Sequence, residues 1–237
     1  MEHMSMPGMP KKGRVIAYVD GYNLYHGIRD ADWRRYLWLD LAKLAGSLIL
    51  ETQELVITKY FTTRISAPES KRKRQSEYLE ALATHCGGSI QMFWGHYQTE
   101  PWTCKCCNKT ELVPHEKKTD VNIAVELMTD AFQNAFDSAF LISADSDLVP
   151  PVIAIRRLFP SKSIVVAFPP ERFSVELKNS ANTSFTLGRA KLAGAQLPDR
   201  VLKPDGAKLE RPTKWSSAPQ TPFGLALESA LDPKNKI

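Results

Sequence analysis

The stretch VIAYVDGYNLYHGI, Val15–Ile28, decides how this chain is read. An apolar run ends in an acid, a glycine and, three residues beyond the acid, the amide of Asn23. Such a run suits a strand covered on both faces, as in a parallel sheet. A carboxylate left unpaired at low dielectric is costly, so Asp20 stays solvated, accepts hydrogen bonds or holds a cation. As a turn residue before Gly21 it needs no further explanation. The choice depends on whether other segments send acids to the same place.

Four more apolar runs read as strands: ELVITKYFTTRI (54–65), SIQMFWGHY (89–97), SAFLISA (138–144) and KSIVVAF (162–168). TSFTL (183–187) is a last one. Between them lie helical patterns at 39–50, 68–86, 119–135 and 147–159, with a short helix in 169–181. In the helix of 119–135, Val121, Val125, Met128 and Phe132 recur at the spacing of one helical face, and Thr119 or Asp120 can cap its start. Pro150 and Pro151 are tolerated in a first turn. This alternation predicts an α/β fold, a doubly wound and mostly parallel sheet flanked by helices, over residues 13–188. Residues 1–12 read as a disordered leader, without the apolar core of a secretory signal. Beyond 188 the chain turns rich in proline and turn formers. Leu197, Val201, Leu209 and Trp215 there suggest an arm packed on the domain, with a small hairpin at PDG, within an extension running to 237.

The 237 residues are 43% hydrophobic and 24% charged, with a net charge of +5, an ordinary globular balance leaning mildly towards polyanions. No apolar run reaches the roughly 18 residues that span a bilayer, so no membrane association is expected. Four cysteines, three of them in CKCC, suit a reducing, cytoplasmic compartment better than a disulfide framework.

In an open parallel sheet, ligands bind at the carboxyl ends of the strands, where the strand order reverses. Asp20 follows the first strand, Asp145 and Asp147 follow the strand of 138–144, and Asp120 opens the helix before it. If those two strands are neighbours, Asp20, Asp145 and Asp147 share one crevice, and Asp120 joins them if its helix leans over the sheet edge. Each acid alone has a bland explanation as turn, cap or helix-dipole residue. Together they repel unless a divalent cation sits among them, and hard oxygens suit Mg²⁺ or Mn²⁺. Asn23 adds a neutral oxygen. Lys117, Lys118 and the run Lys71, Arg72, Lys73 and Arg74 supply positive charge for phosphates, or a solvated face. Relieving the repulsion with Asp20→Asn is expected to leave folding intact or improve it by roughly 1 kcal/mol.

YVDGYNLYHGI (18–28), EKKTDVNIAVELMTDA (116–131) and FLISADSDLVPPVIAIRR (140–157) resemble the three signatures of the NYN domain, in its LabA-like branch, within the PIN-like nuclease superfamily. The tail LPDRV…PDG…ERPTKW also resembles an extension of that branch. The resemblance implies a PIN-like fold and metal-dependent cleavage of RNA, probing single-stranded or structured substrates. It carries the family's acids onto Asp20, Asp120, Asp145 and Asp147, and its amide onto Asn23. Asp20, Asp120 and Asp145 are then the Mg²⁺ or Mn²⁺ ligands, and Asp147 or Asp120 orients or deprotonates the attacking water. One departure stands out: where a glycine often follows the lysine, this chain has Lys118 and Thr119. A non-catalytic RNA- or protein-binding module on the same fold is the alternative. A phosphatase-like Mg²⁺ enzyme is a third reading, and the lack of a Gly-rich phosphate loop argues against nucleotide hydrolases. The oligomeric state is left open, a homodimer included.

A second metal site is suggested by Cys104 and Cys107, which have half-site zinc spacing with Cys106 between them. His115 or Cys106, with His96 and Cys86 as further candidates, would complete a structural Zn²⁺ site in a Cys-rich insertion at 97–116. Trp94, Tyr97 and Trp102 flank it and can stack bases or pack as a hinge. His26 and His85 read as surface or cap residues.

Overall fold

The computed structural model describes residues 12–103 and 106–216. The leader through residue 11, Cys104, Lys105 and the tail from 217 lie outside the described residues, as do the side chains of 97–100 and 111–117.

The strand β1 (Gly13–Asp20) runs straight into the helix α1 (Gly21–Asp30). Asp20 caps α1, its carboxylate accepting from the Asn23 N–H at 3.0 Å. Leu24, Gly27 and Ile28 turn inward, while Tyr22 and Tyr25 face out. The sequence gives little sign of α1, because two glycines lower its propensity. Both are required by close approach. A Cβ on Gly21 would lie 2.7 Å from the Phe61 carbonyl oxygen, and one on Gly27 2.5 Å from that of Pro170.

The chain continues through α2 (Leu41–Gly46), β2 (Gln53–Thr62), α3 (Glu69–Cys86) and β3 (Ile90–Trp94). Next come β4 (His96–Thr103), β5 (Thr110–Lys117), α4 (Thr119–Phe132), β6 (Ser138–Ile142) and α5 (Val149–Leu158). Then follow β7 (Ser163–Phe168), α6 (Val175–Ser180), β8 (Thr183–Thr186), α7 (Arg189–Gly194), the pair β9 (Arg200–Leu202) and β10 (Lys208–Glu210), and α8 (Thr213–Ser216). Six strands form one parallel sheet in the order β3-β2-β1-β6-β7-β8. The order reverses between β1 and β6, which are paired from Val15 opposite Ser138 to Val19 opposite Ile142. This bears out the doubly wound α/β reading.

Three local readings are corrected. The expected strand 89–97 stops at Trp94, and His96 begins an antiparallel hairpin, β4 with β5, that makes up the Cys-rich insertion. The α4 helix starts from Lys118, in the left-handed region at φ 76°, not from a capping Thr119 or Asp120. Its face of Val121, Val125 and Phe132 is exposed, whereas Ile123, Leu127 and Ala131 are buried. The same buried side carries a polar anchor that the apolar pattern does not reveal. Buried Asp130 accepts from the Tyr18 hydroxyl and pairs at 2.7 Å with buried Lys59, which also reaches Glu126 at 2.7 Å. Burial and the Asp130 carboxylate push the Tyr18 hydroxyl's pKa up. In the C-terminal arm, Leu197, Val201, Leu209 and Trp215 are buried in the same cluster as Leu24, Trp38 and Tyr78.

Candidate active site

At the carboxyl edge between β1 and β6, Asp20, Asn23, Asp120 and Asp145 line one pocket of about 490 Å³, together with Thr119, His26, Arg29 and Lys71. Asp20 closes β1 and Asn23 lies one turn into α1. Asp145 follows β6, and Asp120 is delivered by the first turn of α4, the helix that carries Asp130 of the Lys59–Asp130 pair.

Asp20 is buried, 1% exposed. Besides the Asn23 N–H, its carboxylate accepts from the Asn23 side-chain amide and from the Ser143 hydroxyl, each at 2.7 Å. Ser143 in turn accepts from the Asp145 N–H at 3.0 Å, so one hydroxyl ties the ends of β1 and β6 together. Asp145 accepts from the Asp147 N–H at 2.9 Å and caps a 3₁₀ turn, Ser146–Leu148. That turn leaves Asp147 exposed and off the pocket wall. Asp20 is thus hydrogen-bonded as a buried cap should be, which argues against the expectation that Asp20→Asn is harmless to folding.

Among the described residues, no three carboxylate, imidazole or thiol groups already stand close enough to enclose a metal ion. The acids share a pocket, not a coordination shell. The donor set itself, three carboxylates and an amide without sulfur, is of the kind that Mg²⁺ and Mn²⁺ take.

The cations divide. Lys71 and Arg29 are on the pocket wall, and Arg74 faces an adjoining cavity. Arg72 is turned to Glu69 in a two-pronged pair at 2.7 Å, while Lys73 and Lys118 are exposed and off the pocket walls. The Lys117 side chain lies outside the described residues.

Sequence reading missed His26, Tyr22, Tyr25 and Ser143. His26 sits against the Tyr22 ring, with centroids 4.1 Å apart, and burial with nearby Arg29, Arg172 and Lys71 lowers its pKa to about 4. It is therefore neutral near pH 7. The only hint in the sequence is the aromatic spacing of YNLYH, which places Tyr22, Tyr25 and His26 on the side of α1 opposite Leu24 and Ile28.

For the zinc reading, Cys104 lies outside the described residues, and Cys106 and Cys107 are exposed. The β4–β5 register places His115 opposite Gln98, five residues from the Thr103–Thr110 pair that closes the hairpin tip. At about 3.4 Å per residue, His115 is roughly 17 Å along the strand from that tip. Cys86 stands elsewhere, its thiol on Asp40 at 3.3 Å and pushed up to about 12 by burial. Trp94 and Trp102 are both exposed, and the Arg64 guanidinium lies 4.4 Å over the Trp94 ring.

A family model described as the NYN domain matches residues 14–188. The chain is 26% identical to a 6-hydroxy-3-succinoylpyridine 3-monooxygenase of Pseudomonas putida, over 87% of its own length and 77% of that protein's. A crystal structure of a protein of unknown function from Vibrio parahaemolyticus has a similar fold, with a TM-score of 0.50 and 18% identity. That likeness covers 78% of this chain and 98% of the other. No helix among the described residues is long and apolar enough to cross a membrane.

Proposed function

Because the chain belongs to the NYN domain family, within the PIN-like nuclease superfamily, we propose that it is a metal-dependent ribonuclease acting at the pocket between β1 and β6. The supporting observation is the delivery of three carboxylates and an amide, from three distant segments, into one pocket at a strand-order reversal. Asp20, Asp120 and Asp145 would hold Mg²⁺ or Mn²⁺. When bound, such an ion polarises a phosphate oxygen and lowers the pKa of a water.

The chain's own residues do the remainder. The Asn23 amide and Ser143 hydroxyl fix the Asp20 carboxylate in one orientation. Lys71, on the wall, would meet the charge of the substrate phosphate, with Arg29 beside it already paired with Asp30 at 2.8 Å. Of the two acids eligible to orient or deprotonate the attacking water, Asp120 lines the pocket and Asp147 does not. Attack of that water on phosphorus with breakage of the P–O3′ bond would leave a 5′-phosphate and a 3′-hydroxyl, without using the ribose 2′-hydroxyl.

The test is incubation of single-stranded and hairpin oligoribonucleotides with Mn²⁺, Mg²⁺ or EDTA, beside Asp120→Asn. Asp120 is the better position to replace because Asp20 also caps a helix. Cleavage should need the ion and fall about 100-fold or more in the variant, with a melting temperature lowered by no more than about 4 °C. RNA binding without cleavage under every condition would leave the non-catalytic module instead.

A second reading rests on an aromatic-walled cavity beside the carboxylates and on the relative named as a monooxygenase of a substituted pyridine. On that reading the chain acts on a small aromatic molecule. Oxygen uptake with a hydroxypyridine and a reduced nicotinamide, in the absence of any RNA cleavage, would favour it.

A further inference from the structure

Behind α1 lies a second cavity, of about 130 Å³. Its walls are apolar, made by Leu24, Leu37 and Leu41 and by the rings of Tyr60, Tyr78 and Trp215. Protein interiors keep few such voids, and an apolar pocket with a few polar groups beside a charged one is the usual form of a ligand site. Its size is the informative number. A closed void of about 150 Å³ holds one benzene ring, so the space within these walls suits one six-membered ring, and the second ring of a purine would have to project from its open mouth.

The polar groups at the cavity say what the ring carries. The Gln75 amide is engaged at both ends, accepting from the Ile65 N–H and donating to the Thr63 carbonyl, both at 2.8 Å. The Tyr78 hydroxyl donates to the Leu39 carbonyl at 3.0 Å. The full charges at the cavity are those of Lys71 and Arg74, three residues apart on one face of α3. Neither is in an ion pair among the described residues, in contrast to Arg72 between them. Two such cations favour a ligand that carries an anion beside its ring.

The cavity is not isolated. Tyr22, Tyr25, His26, Ile65 and Lys71 line both it and the carboxylate pocket. A ligand whose ring fills the first can present its anion to the second past Lys71.

We propose that this cavity binds the base of an unpaired pyrimidine nucleotide of the RNA substrate, with its phosphate passed across Lys71 towards Asp20, Asp120 and Asp145. The proposal rests on the ribonuclease reading and adds a base preference to it. It also gives the C-terminal arm a role. Trp215 is braced edge-on against Tyr78, with ring centroids 5.9 Å apart, and supplies one wall of the base site. Neutral His26, between the two pockets, can donate or accept at the rim without adding to the positive charge.

The test separates this proposal from the nuclease reading by measuring binding in EDTA, where no cleavage occurs. Equilibrium dialysis of the full chain is run with UMP, CMP, AMP, GMP, ribose 5-phosphate and nicotinate. UMP and CMP should bind at least 10-fold more tightly than the purine nucleotides and than ribose 5-phosphate. Leu37→Phe, which fills the cavity, should remove that preference. If that variant does not fold, Trp215→Leu, which widens the cavity, should shift the preference towards AMP. Equal binding of UMP and ribose 5-phosphate would overturn the proposal, since the ring would then go unrecognised. Nicotinate binding without UMP binding would overturn it too, by assigning the cavity to free aromatic acids. RNA cleaved equally at purines and pyrimidines, with no UMP binding, would remove the base site and leave the ribonuclease intact.

Discussion

Asp20→Asn is expected to destabilise the metal-free protein, and the amount follows from its hydrogen bonds. The carboxylate accepts from the Asn23 N–H at 3.0 Å and from the Asn23 amide and Ser143 hydroxyl at 2.7 Å each. Bonds to a charged acceptor contribute about twice what neutral ones do. An asparagine keeps some of these contacts, but only after the Asn23 amide and the Ser143 proton reorient. The change forfeits about 1 kcal/mol at each of the three bonds. Relief of a buried charge returns about 1 kcal/mol, leaving a net loss of about 2 kcal/mol. In a domain of this size that lowers the melting temperature by about 4–8 °C. The measurement is thermal unfolding by circular dichroism in EDTA, with Ser143→Ala and the double variant completing a cycle. Coupling of about 0.5 kcal/mol or more between the two sites is expected. A melting temperature that is unchanged or raised would mean that repulsion among the acids outweighs the cap, and the reasoning would fail.

Gly21→Ala should cost about 1–3 kcal/mol in urea titrations, because its methyl would meet a β2 carbonyl oxygen that cannot withdraw. Asp130→Ala should cost about 3 kcal/mol by stranding the Tyr18 hydroxyl in the core and leaving buried Lys59 with Glu126 alone. The triple change Tyr18→Phe, Lys59→Met, Asp130→Leu should cost much less, and a similar loss for both would discount the network. Leu127→Ala should cost about 2–5 kcal/mol and Val125→Ala within about 0.5 kcal/mol, reversing what the apolar face of α4 suggests. Stability should fall as pH drops from about 6.5 towards His26's folded pKa of about 4, since the unfolded chain takes up a proton that the folded site refuses. Replacing His26 with glutamine should flatten the pH profile in that window, as read by denaturant midpoints.

The sheet was legible because its strands carry their own signal. The runs at 14–19, 138–144 and 162–168 are too evenly apolar for anything but two-sided burial, and parallel order follows from the helices between them. Readings failed where a long-range partner decides the outcome. The α4 face looked apolar on Val121, Val125 and Phe132, yet the buried side also carries Asp130, whose partners Lys59 and Tyr18 are dozens of residues away. Helix α1 was hidden by glycines whose reason, the Phe61 and Pro170 carbonyls, lies in other elements. Asp145 and Asp147, one read as a metal ligand and the other as orienting the water, were both expected in the crevice, and a 3₁₀ turn of three residues sends one to the pocket and the other to solvent. The ring cavity needed Trp215, some 190 residues after Leu24 in the chain, and no spacing rule joins residues so far apart.

The burial of Asp20 first suggested a cation, and the structure supplies a different reason for it. A carboxylate with donors from Asn23 and Ser143 needs no metal to be tolerated at the end of β1. Its presence therefore says less about catalysis than the company it keeps. Asp120 belongs to the first turn of α4, where the helix dipole alone would welcome an acid, but the dipole does not require that turn to overhang the carboxyl edge of β1. The Lys59–Asp130 pair sits further along the same helix and buries charges that an apolar contact could replace. Its expected role is to help seat α4, and with it Asp120, more than to add stability. The residues that seat α4 are therefore the ones to test, with Tyr18→Phe, Lys59→Met and Asp130→Leu combined so that no buried hydroxyl is stranded. That triple variant should leave the melting temperature within a few degrees while reducing metal-dependent cleavage, and full cleavage in the folded triple variant would sever the anchor from function.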